Sequence, residues 1–589
     1  MTLISGRFFV SSYRNYYQRT FRIKRISFST GNSLNFSDVL RTPEYASTPA
    51  LVEGKFKLTY AQLDYIASKT ASVIAEADRK SRFSAVGAFN KPSISFVVSM
   101  LAAWKLGKVF VPLSTNHSEN ELNYFVEDSK VGLICCTKRD EINPAFVNTA
   151  KLPFLETDSF IKAISNVPKT TAGEAQQSLR GEDCLSGSVN GDTGALVIYT
   201  SGTTGRPKGV LHTHSSLFHM TQGLIESWKY TANDKILHFL PLYHVHGLVN
   251  KLLCVLKVGG TVEFLASANA PVIWNRLAEE EVSYQKHRNA VEAGNSSPYK
   301  PVSLFMAVPT IYARLLESST EMRSNPETSL TLSDGVSALK RMRLMVSGSA
   351  ALPDTVLNNW KNLTGYKLLE RYGMTEIGMA LSNPYEGERK EGYVGFPLPG
   401  VECKLVDDRE NTISEPNTPG ELRIKGPQVF SHYLNRPDAT KETFDAEGWF
   451  KTGDVAEVGA DGFYKILGRN STDIIKSAGY KLSALEIERE LLAHPQILEA
   501  AVVGVSDDVL GEKVLAVISL RTGTGSGSSP GDLVSVRGDA TALQKYIRVF
   551  LEDKLAHYKQ PRDYVVVDAI PRNHLGKVNK KSLLKDLNI

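Results

Sequence analysis

The densest run of chemically useful residues is YTSGTTGRPKG at 199–209. It gathers four hydroxyl side chains and three glycines around one lysine, Lys208. Glycines let the backbone approach an anion closely, hydroxyl and main-chain N–H groups donate hydrogen bonds to it, and a lysine adds positive charge. The run therefore predicts a loop that binds a triphosphate. The alternative is a turn that only connects two elements, and the G-x-x-x-x-G-K-[ST] pattern of P-loop enzymes does not fit it.

Six further segments, in a fixed order after this loop, carry the remaining candidate residues. They are LPLYHVHG (240–247), SGSAAL (347–352), ERYGMTE (370–376), GWFKTGD (448–454), GRNSTD (468–473) and PRNHLGK (571–577). With the loop they resemble the adenylate-forming superfamily, which includes the acyl-CoA synthetases, and the resemblance runs from residue 58 to residue 581. It implies an enzyme that activates a carboxylic acid with ATP and passes the acyl group to coenzyme A, with Mg²⁺ as cofactor.

The family resemblance implies an ATP site drawn from distant parts of the chain. The residues matched to nucleotide contacts are Thr200, Ser201, Gly202, Thr203, Thr204, Gly205, Lys208, Ser349, Ala350, Tyr372, Thr375, Asp454, Arg469 and Lys577. By this match, Tyr372 lies near the adenine, and Asp454 and Arg469 lie at the ribose. A carboxylate suits a ribose because it can accept hydrogen bonds from both hydroxyls.

Three residues are matched to catalysis, namely Thr375, Glu376 and Lys577. Attack of a carboxylate on the α-phosphorus brings two anions together, so a hard cation and fixed donors must stabilise the developing charge. The resemblance assigns Thr375 to the α-phosphate, Glu376 to Mg²⁺, and Lys577 to a bridge between the carboxylate and the leaving phosphates. A glutamate outside such a motif would be a solvated surface group. The neighbours Lys580 and Lys581 are expected to be surface lysines.

Lys577 and the phosphate loop lie in different parts of the chain, which predicts movement between two domains. The family resemblance implies that the small domain swings after adenylation, removes the lysine, and turns segment 476–488 toward the adenylate. Gating of this kind is common in enzymes with lids. The hinge is matched to Ser471 or Thr472, because GRNSTDIIKSAGY has one more residue between its arginine and its glycine than the commoner family pattern.

The choice of acid is expected to depend on RMRLMVSGSAAL at 341–352. Strand alternation places Arg343, Met345 and Ser347 on one face. If this face lines the acyl pocket, Arg343 rejects a hydrocarbon tail and favours a second carboxylate, because a buried unpaired charge costs several kcal/mol. The sequence therefore predicts a short dicarboxylic acid, with His244 as a further donor to that carboxylate or a gate.

The segments around these residues resemble the malonyl-CoA synthetases within the superfamily, including the mitochondrial members. Methylmalonate is the nearest alternative acid. Arg343 has the alternative role of a structural ion-pair partner, since such partners share its features. His244 and His246 have the alternative role of a metal pair, although no third ligand lies nearby in the sequence.

The elements that position these residues follow from the hydrophobic pattern. Short β-rich runs alternate with longer amphipathic stretches from 38 to 467, which predicts a large N-terminal domain of layered α/β subdomains with a small β-barrel-like subdomain. Residues 468–589 predict a small, mobile α+β domain, in which Leu543, Ile547, Phe550, Leu551 and Leu555 recur at helical spacing. Polar stretches at 164–194 and 284–301 are interpreted as surface insertions.

Composition limits the location and the partners of the protein. Residues 1–37 contain arginines, a lysine, aromatics and serines and no acidic residue, which is typical of a mitochondrial transit peptide, the alternative being a disordered basic tail. A net charge of +5 from 68 basic and 63 acidic residues does not favour nucleic acid as a partner. No apolar run reaches the length of a membrane span. The five scattered cysteines favour a reducing compartment.

Two other functions remain open at this point. One is acyl transfer to the phosphopantetheine arm of a carrier protein, for which free coenzyme A is the simpler acceptor because the sequence has no carrier domain. The other is a nucleotide-binding protein without catalysis, against which Thr375, Glu376, Asp454 and Lys577 all argue. No obligate protein partner is expected.

Overall fold

The computed structural model describes residues 36–139, 146, 152–164, 190–200, 206–295, 299–478, 480–521, 533, 539–572 and 578–587. The expected leader at 1–37 falls almost wholly outside these residues. Within them, no helix combines the length and the apolar character that crossing a lipid bilayer requires.

The described chain alternates strands and helices from one end to the other. Its strands are β1 (Pro49–Glu53), β2 (Phe56–Thr59), β3 (Ala85–Phe89), β4 (Val109–Leu113), β5 (Val131–Cys136), β6 (Phe154–Glu156), β7 (Gly194–Thr200), β8 (Lys208–Thr213), β9 (Lys235–His238), β10 (Thr261–Phe264), β11 (Leu304–Ala307), β12 (Leu344–Ser347), β13 (Leu369–Met374), β14 (Gly378–Ser382), β15 (Phe396–Pro397), β16 (Glu402–Val406), β17 (Gly420–Lys425), β18 (His432–Tyr433), β19 (Phe450–Val458), β20 (Tyr464–Arg469), β21 (Ile474–Ser477), β22 (Tyr480–Ser483), β23 (Ile497–Asp507), β24 (Gly511–Leu520) and β25 (Asp563–Val567). Its α-helices are α1 (Tyr60–Ser81), α2 (Ile94–Lys105), α3 (Glu119–Asp128), α4 (Asp158–Ile164), α5 (His214–Trp228), α6 (Cys254–Lys257), α7 (Ala270–Glu292), α8 (Pro309–Ser324), α9 (Pro326–Lys340), α10 (Asp354–Thr364), α11 (Pro437–Thr443), α12 (Ala484–Leu492), α13 (Ala540–Leu551) and α14 (Lys580–Asp586). A π-helix (His246–Leu253) precedes α6, and 3₁₀ turns lie at Phe36–Arg41, Pro43–Tyr45 and His557–Lys559.

Two large sheets form the N-terminal part of the fold. One has nine strands in the order β15-β14-β13-β12-β11-β9-β10-β1-β2, and the other has seven in the order β18-β8-β7-β4-β3-β5-β6. Strands β1, β10, β9, β11, β12 and β13 are parallel neighbours, as are β7, β4, β3, β5 and β6. Parallel strands point their carboxyl ends at one sheet edge, where ligands of α/β proteins commonly bind.

Helix α2 shows how the apolar sequence fixes one of these layers. All of its residues are buried, and the indole N–H of Trp104 donates to the carbonyl of Ala195 on β7 at 2.7 Å. Helix α1 begins at a capping box, in which the Thr59 hydroxyl accepts from the Gln62 N–H at 3.2 Å and the Gln62 side chain accepts from the Thr59 N–H at 2.9 Å. Such caps satisfy N–H groups that a helix start leaves without partners.

The remaining strands form two smaller sheets. Strands β16, β17, β19 and β20 make an antiparallel sheet, and β21 to β25 make the sheet of the small domain. In the described residues the first of these is an open four-stranded sheet, which corrects the expectation of a barrel-like subdomain. Leu543, Ile547 and Leu551 on α13 are buried against the small-domain sheet.

The expected fold class is confirmed, since a large α/β domain is followed by a small α+β domain. The apolar runs ALVIYT (195–200) and RLMVS (343–347), which predict buried strands, correspond to β7 and β12. The expected surface insertion at 284–301 is helical in its first part, because residues 284–292 continue the long helix α7, and none of these residues is buried. The stretch at 164–194 lies mostly outside the described residues.

Candidate active site

The predicted ribose residues meet beside the predicted adenine residue. Strands β19 and β20 pair Asp454 directly with Arg469, and the Arg469 Nε lies 2.8 Å from the Asp454 Oδ1. The Tyr372 hydroxyl, which comes from β13 in the nine-stranded sheet, donates to the Asp454 Oδ2. Burial raises the pKa of the Tyr372 hydroxyl, and the adjacent carboxylate raises it further. Three residues that the sequence separates by up to 97 positions (372 to 469) thus form one group.

A second chain of contacts joins the predicted metal ligand to the phosphate loop. The Tyr433 hydroxyl donates to the Glu376 Oε1 at 2.8 Å, and the Lys208 ammonium lies 4.7 Å from the Tyr433 ring centre. Strand β18 positions Tyr433 by pairing with β8, which begins at Lys208. Glu376 is 6% exposed, and burial raises the pKa of its carboxyl while Arg469 and Lys208 oppose that rise. No motif in the sequence indicated that Tyr433 belongs to the site.

A histidine that the sequence did not indicate holds the YGMTE turn in place. The His212 ring is fully buried, and its Nε2 lies 2.7 Å from the carbonyl oxygen of Thr375. Burial lowers the pKa of His212 to about 4, so the ring is neutral at physiological pH. A neutral ring with its N–H on that carbonyl fixes Thr375 and Glu376 relative to strand β8.

A buried arginine on β13 lies beside the carboxyl end of β12. Arg371 is 4% exposed, its Nη2 donates to the Ser349 hydroxyl at 3.2 Å, and its Nε has no hydrogen-bond partner in the described residues. Burial lowers the pKa of Arg371 to about 9. A Cβ atom on Gly348 would lie 2.6 Å from the guanidinium, so only glycine leaves this space. The Ser349 hydroxyl also lies 3.3 Å from the His246 Nδ1.

Ser349 itself has an unusual backbone. Its φ is 75°, in the left-handed region that side-chain-bearing residues rarely adopt. Strain of this kind persists where surrounding contacts enforce it, and it is concentrated at functional sites. Here it presents the Ser349 hydroxyl to both Arg371 and His246.

Arg343 is positioned differently from the sequence expectation. Its Nε and Nη2 donate to the two carboxylate oxygens of Asp234 at 2.7 and 2.6 Å, and its Nη1 donates to the Trp228 carbonyl at 2.9 Å. Asp234 and Arg343 directly precede β9 and β12, so the pair lies at the amino ends of the strands. The acyl-pocket role of Arg343 is therefore corrected in favour of the alternative, a structural ion pair.

The other predicted acid-site residues lie nearer the carboxyl ends. Ser347 ends β12 and is fully buried, and its hydroxyl has no hydrogen-bond partner in the described part of the chain. His244 is half-buried and precedes the π-helix, and Ala350 is exposed beside Ser349. The described residues contain no cluster of three or more His, Cys, Asp or Glu side chains that could hold a metal.

The predicted hinge residues occupy a turn between β20 and β21. The N–H groups of Thr472 and Asp473 both donate to the Arg469 carbonyl, at 3.2 and 2.8 Å. Ser471 lies within this turn and is exposed. The Arg469 N–H in turn donates to the Asp473 Oδ2 at 3.0 Å. The hinge assignment stays a prediction.

Lys580 is not the surface lysine that the sequence suggested. Its ammonium lies 2.6 Å from the Asp473 Oδ1 and 2.7 Å from the Glu488 Oε1, and all three side chains are at most 14% exposed. Arg572 forms a second ion pair with Glu499 at 2.8 Å. In the sequence, one ion pair thus lies just before positions 573–577 and others lie just after them. Lys581 is exposed, as expected.

Comparison with known proteins decides the family. The model of the family described as AMP-binding enzyme matches residues 41–285 and 299–434, and the model of the AMP-binding enzyme C-terminal domain matches residues 486–577. The chain belongs to the AMP-binding enzyme family. These two matches cover both the residues around Tyr372 and the small domain.

Curated relatives and solved structures resemble this AMP-binding enzyme over nearly its whole length. The mitochondrial malonate–CoA ligase of Bos taurus is 39% identical over 93% of this chain and 90% of its own. The malonate–CoA ligase of Arabidopsis thaliana is 40% identical over 85% of this chain and 78% of its own. ATP-bound MatB from Rhodopseudomonas palustris superimposes with a TM-score of 0.75, at 30% identity, over 95% of this chain and all of that one.

Several predicted residues of this AMP-binding enzyme lie outside the described residues. They are Ser201, Gly202, Thr203, Thr204, Gly205 and Lys577. The described end of the loop, Thr200, ends β7, and its hydroxyl lies 3.4 Å from the Lys208 carbonyl oxygen. The roles of all of these residues remain predictions.

Proposed function

We propose that this AMP-binding enzyme is an ATP-dependent malonate–CoA ligase. It converts malonate, ATP and coenzyme A to malonyl-CoA, AMP and pyrophosphate through a malonyl-adenylate. Two curated malonate–CoA ligases that are 39% and 40% identical support this activity. A solved malonyl-CoA ligase that is 33% identical, with a TM-score of 0.58, was crystallised with methylmalonyl-CoA and AMP, which supports methylmalonate as a second acid.

One observation of the structure carries the choice of acid, namely the buried guanidinium of Arg371, which pairs with no carboxylate of the described residues. A buried arginine without a carboxylate costs free energy, so its retention favours an anionic ligand. Arg371 adjoins Tyr372 in the strand that leads to Glu376, so a carboxylate bound by it lies beside the nucleotide site. We assign the distal carboxylate of the acid to Arg371 and to the Ser349 hydroxyl, in place of the nucleotide contact expected for Ser349. The roles expected for Ser347 and His244 stay proposals for the same pocket.

The reaction follows from these positions in two steps. A carboxylate oxygen of the acid attacks the α-phosphorus, the bond from that phosphorus to the pyrophosphate oxygen breaks, and pyrophosphate leaves. The thiol sulfur of coenzyme A then attacks the acyl carbon, loses its proton to solvent, and AMP departs with the oxygen that had joined it to the acyl group. Thr375, which His212 holds in place, is assigned to the α-phosphate.

Glu376 fits the metal that the family implies. A buried carboxylate with a raised pKa gains from a nearby divalent cation, because the cation offsets the burial cost of its charge. Glu376 would hold Mg²⁺, and the bound ion would supply positive charge to the ATP phosphates. Tyr433 orients the Glu376 carboxylate by donating to one of its oxygens. Asp454 and Arg469 bind the ribose in this proposal.

A panel of acids tests the proposal. Thioester formation and AMP release are measured with malonate, methylmalonate, succinate, acetate and octanoate. We expect the highest kcat/KM with malonate. A preference for acetate or octanoate would contradict the dicarboxylate assignment, and nucleotide binding without turnover of any acid would indicate a catalytically silent protein.

The two half-reactions require two arrangements of the domains, for which we propose the boundaries 38–467 and 468–589. In the described arrangement, the Arg489 guanidinium on α12 donates to the Asp354 carboxylate on α10, with Nε and Oδ2 2.6 Å apart. Lys481 lies 2.6 Å from the Asp408 Oδ2. A swing about Ser471 or Thr472 must break contacts of this kind before segment 476–488 reaches the adenylate. The Lys481–Asp408 pair is exposed and therefore weak, whereas the bidentate Arg489–Asp354 pair is partly buried and holds the described arrangement more strongly.

Lys580→Met is expected to slow adenylation selectively. The substitution removes the cation that ties α14 to Asp473 and Glu488, and so loosens one of the two ion pairs that flank the segment of Lys577. A misplacement of about 1 Å can cost roughly 10²-fold in rate, so we expect a loss of about 10- to 100-fold in pyrophosphate release. Thioester formation from supplied malonyl-adenylate should change little.

Lys581→Met is the matched control for this experiment, because Lys581 is the adjacent and exposed lysine. It should leave both half-reactions unchanged. An equal loss of both half-reactions in Lys580→Met would show that the ion pairs serve only the stability of the small domain.

We propose that the enzyme is imported into the mitochondrial matrix. The basic, acid-free composition of residues 1–37 supports this location, and several curated relatives are mitochondrial by name. Residues 1–37 fused to a fluorescent reporter should direct it to mitochondria. Cytoplasmic fluorescence of that fusion would favour the alternative, a basic tail.

A further inference from the structure

The π-helix His246–Leu253 carries more buried polar groups than the proposed reaction uses. His246, Asn250 and Lys251 are at most 4% exposed, and the π-helical N–H of Cys254 donates to the carbonyl five residues earlier. Residues five apart therefore lie on one side of this helix, which places Lys251 on the side of His246. Turns of π-helix are frequently found at functional sites.

Lys251 has unusually little compensation for its charge. Its side chain is fully buried, its ammonium donates to the Met306 carbonyl at 2.9 Å, and it lies 3.9 Å from the Phe239 ring centre. Met306 is near the carboxyl end of β11, and Phe239 directly follows β9. No carboxylate of the described residues forms an ion pair with Lys251, and burial lowers its pKa well below the usual range.

The groups around Lys251 are donors and cations. His238 lies at the end of β9, and its Nε2 is 2.9 Å from the Gly247 carbonyl oxygen. Burial is the main cause that lowers the pKa of His246, and the positive charges of Arg371 and Lys251 lower that pKa further. Both polar atoms of the Asn250 amide and the hydroxyl of Ser347 lack hydrogen-bond partners in the described chain. Buried polar groups are rarely left unsatisfied, so several together indicate a ligand that completes them.

Lys257 shows what a purely structural lysine looks like in the same segment. It lies in α6, which continues the π-helix, and its ammonium lies 2.9 Å from the Thr221 hydroxyl and 3.2 Å from the Phe218 carbonyl oxygen. Lys257 thus has two oxygen acceptors on the flank of α5, away from the strand ends. Lys251 has one, and it faces the strand ends that carry the acid site.

We propose that Lys251 is a specificity-determining residue, whose amine supplies a second positive group on the inner side of the acid site and favours a short dicarboxylate over a monocarboxylate. The proposal rests on the proposed function, because it assumes that the distal carboxylate binds at Arg371. The negative charge of that carboxylate is the compensation that Lys251 lacks in the protein alone. A monocarboxylate brings no charge to this end of the pocket.

Lys251→Met tests the proposal, since methionine is apolar and similar in length. We expect kcat/KM for malonate to fall roughly tenfold while the value for propionate and the KM for ATP stay unchanged, because a charge close to a buried carboxylate contributes at least that much. The melting temperature of the free enzyme should rise, because removal of an unpaired buried charge favours folding. Lys251→Arg, which keeps the charge, should retain most of the malonate preference.

Lys257→Met is the matched control and should leave the ratio of malonate to propionate turnover unchanged. An unchanged ratio in Lys251→Met would overturn the proposal. So would an equal loss for both acids with a lower melting temperature, which is the signature of a structural lysine. A wild-type enzyme that does not prefer malonate to propionate would contradict the proposed function instead, before any variant is compared.

Discussion

Replacement of Lys577 by alanine should reduce adenylate formation by about 10²- to 10³-fold, the usual effect of removing one preorganised donor from a developing anion. The family match assigns this lysine to the carboxylate and the leaving phosphates, where two anions approach each other. Pyrophosphate release with malonate and ATP measures this step. Thioester formation from supplied malonyl-adenylate should remain close to the wild-type rate, because the proposed swing of the small domain would withdraw the lysine before the thiol attacks.

The comparison of the two half-reactions makes this prediction specific. The matched control is again Lys581→Met, because Lys581 is four residues away and exposed. Loss of both half-reactions in Lys577→Ala would indicate a folding defect of the small domain. Unchanged pyrophosphate release would remove Lys577 from the catalytic assignment and with it the need for two domain arrangements.

The sequence predicted the site residues that lie within the individual motifs. GWFKTGD and GRNSTD each name one partner of the Asp454–Arg469 pair, and the antiparallel pairing of β19 with β20 brings the two together. YGMTE likewise predicts that Tyr372 and Glu376 belong to one site. Motif chemistry of this kind is local, so a single sequence can reveal it.

The sequence did not predict the contacts between distant segments. Strand alternation predicts the face of the sheet on which a residue lies. For a residue at a strand boundary, it does not predict whether the residue lies at the amino or the carboxyl end of the strands. Arg343 pairs with Asp234, 109 residues earlier, and Lys580 pairs with Asp473, 107 residues earlier. Nothing in either local pattern marks such a partner, and both lysine and arginine are usually exposed.

Arg371 is a residue that the sequence analysis did not single out, although it lies next to a predicted site residue. Arg371 lies within ERYGMTE, next to Tyr372. No pattern in the sequence distinguishes it from an ordinary charged residue of a strand. Its role depends on Gly348, since only a residue without a Cβ lets the guanidinium lie against β12. A glycine directly after one strand and an arginine in the adjacent parallel strand are a signal that could have been sought once the strand order was known.

Arg371→Met is expected to lower kcat/KM for malonate by at least about 30-fold, because loss of one partner from a buried charge pair costs about 2 kcal/mol or more. The loss should appear mainly for dicarboxylates. Acetate turnover should change little or improve, since acetate presents no second carboxylate and the substitution removes an unpaired charge from the pocket. The KM for ATP should be unchanged, because the ribose and phosphate contacts come from other residues.

Arg343→Met is the matched control, and the two arginines should separate stability from specificity. Arg343 forms a bidentate ion pair with a carboxylate that is 2% exposed, so its loss leaves the Asp234 charge buried and unpaired and should lower the melting temperature. Its ratio of malonate to acetate turnover should stay at the wild-type value. Within the described part of the chain Arg371 forms no such pair, so its substitution should leave the melting temperature unchanged or raise it. If Arg343→Met lost malonate selectively while Arg371→Met did not, the acid would bind at the amino ends of the strands, and the dicarboxylate site would have to be moved to the opposite edge of the sheet.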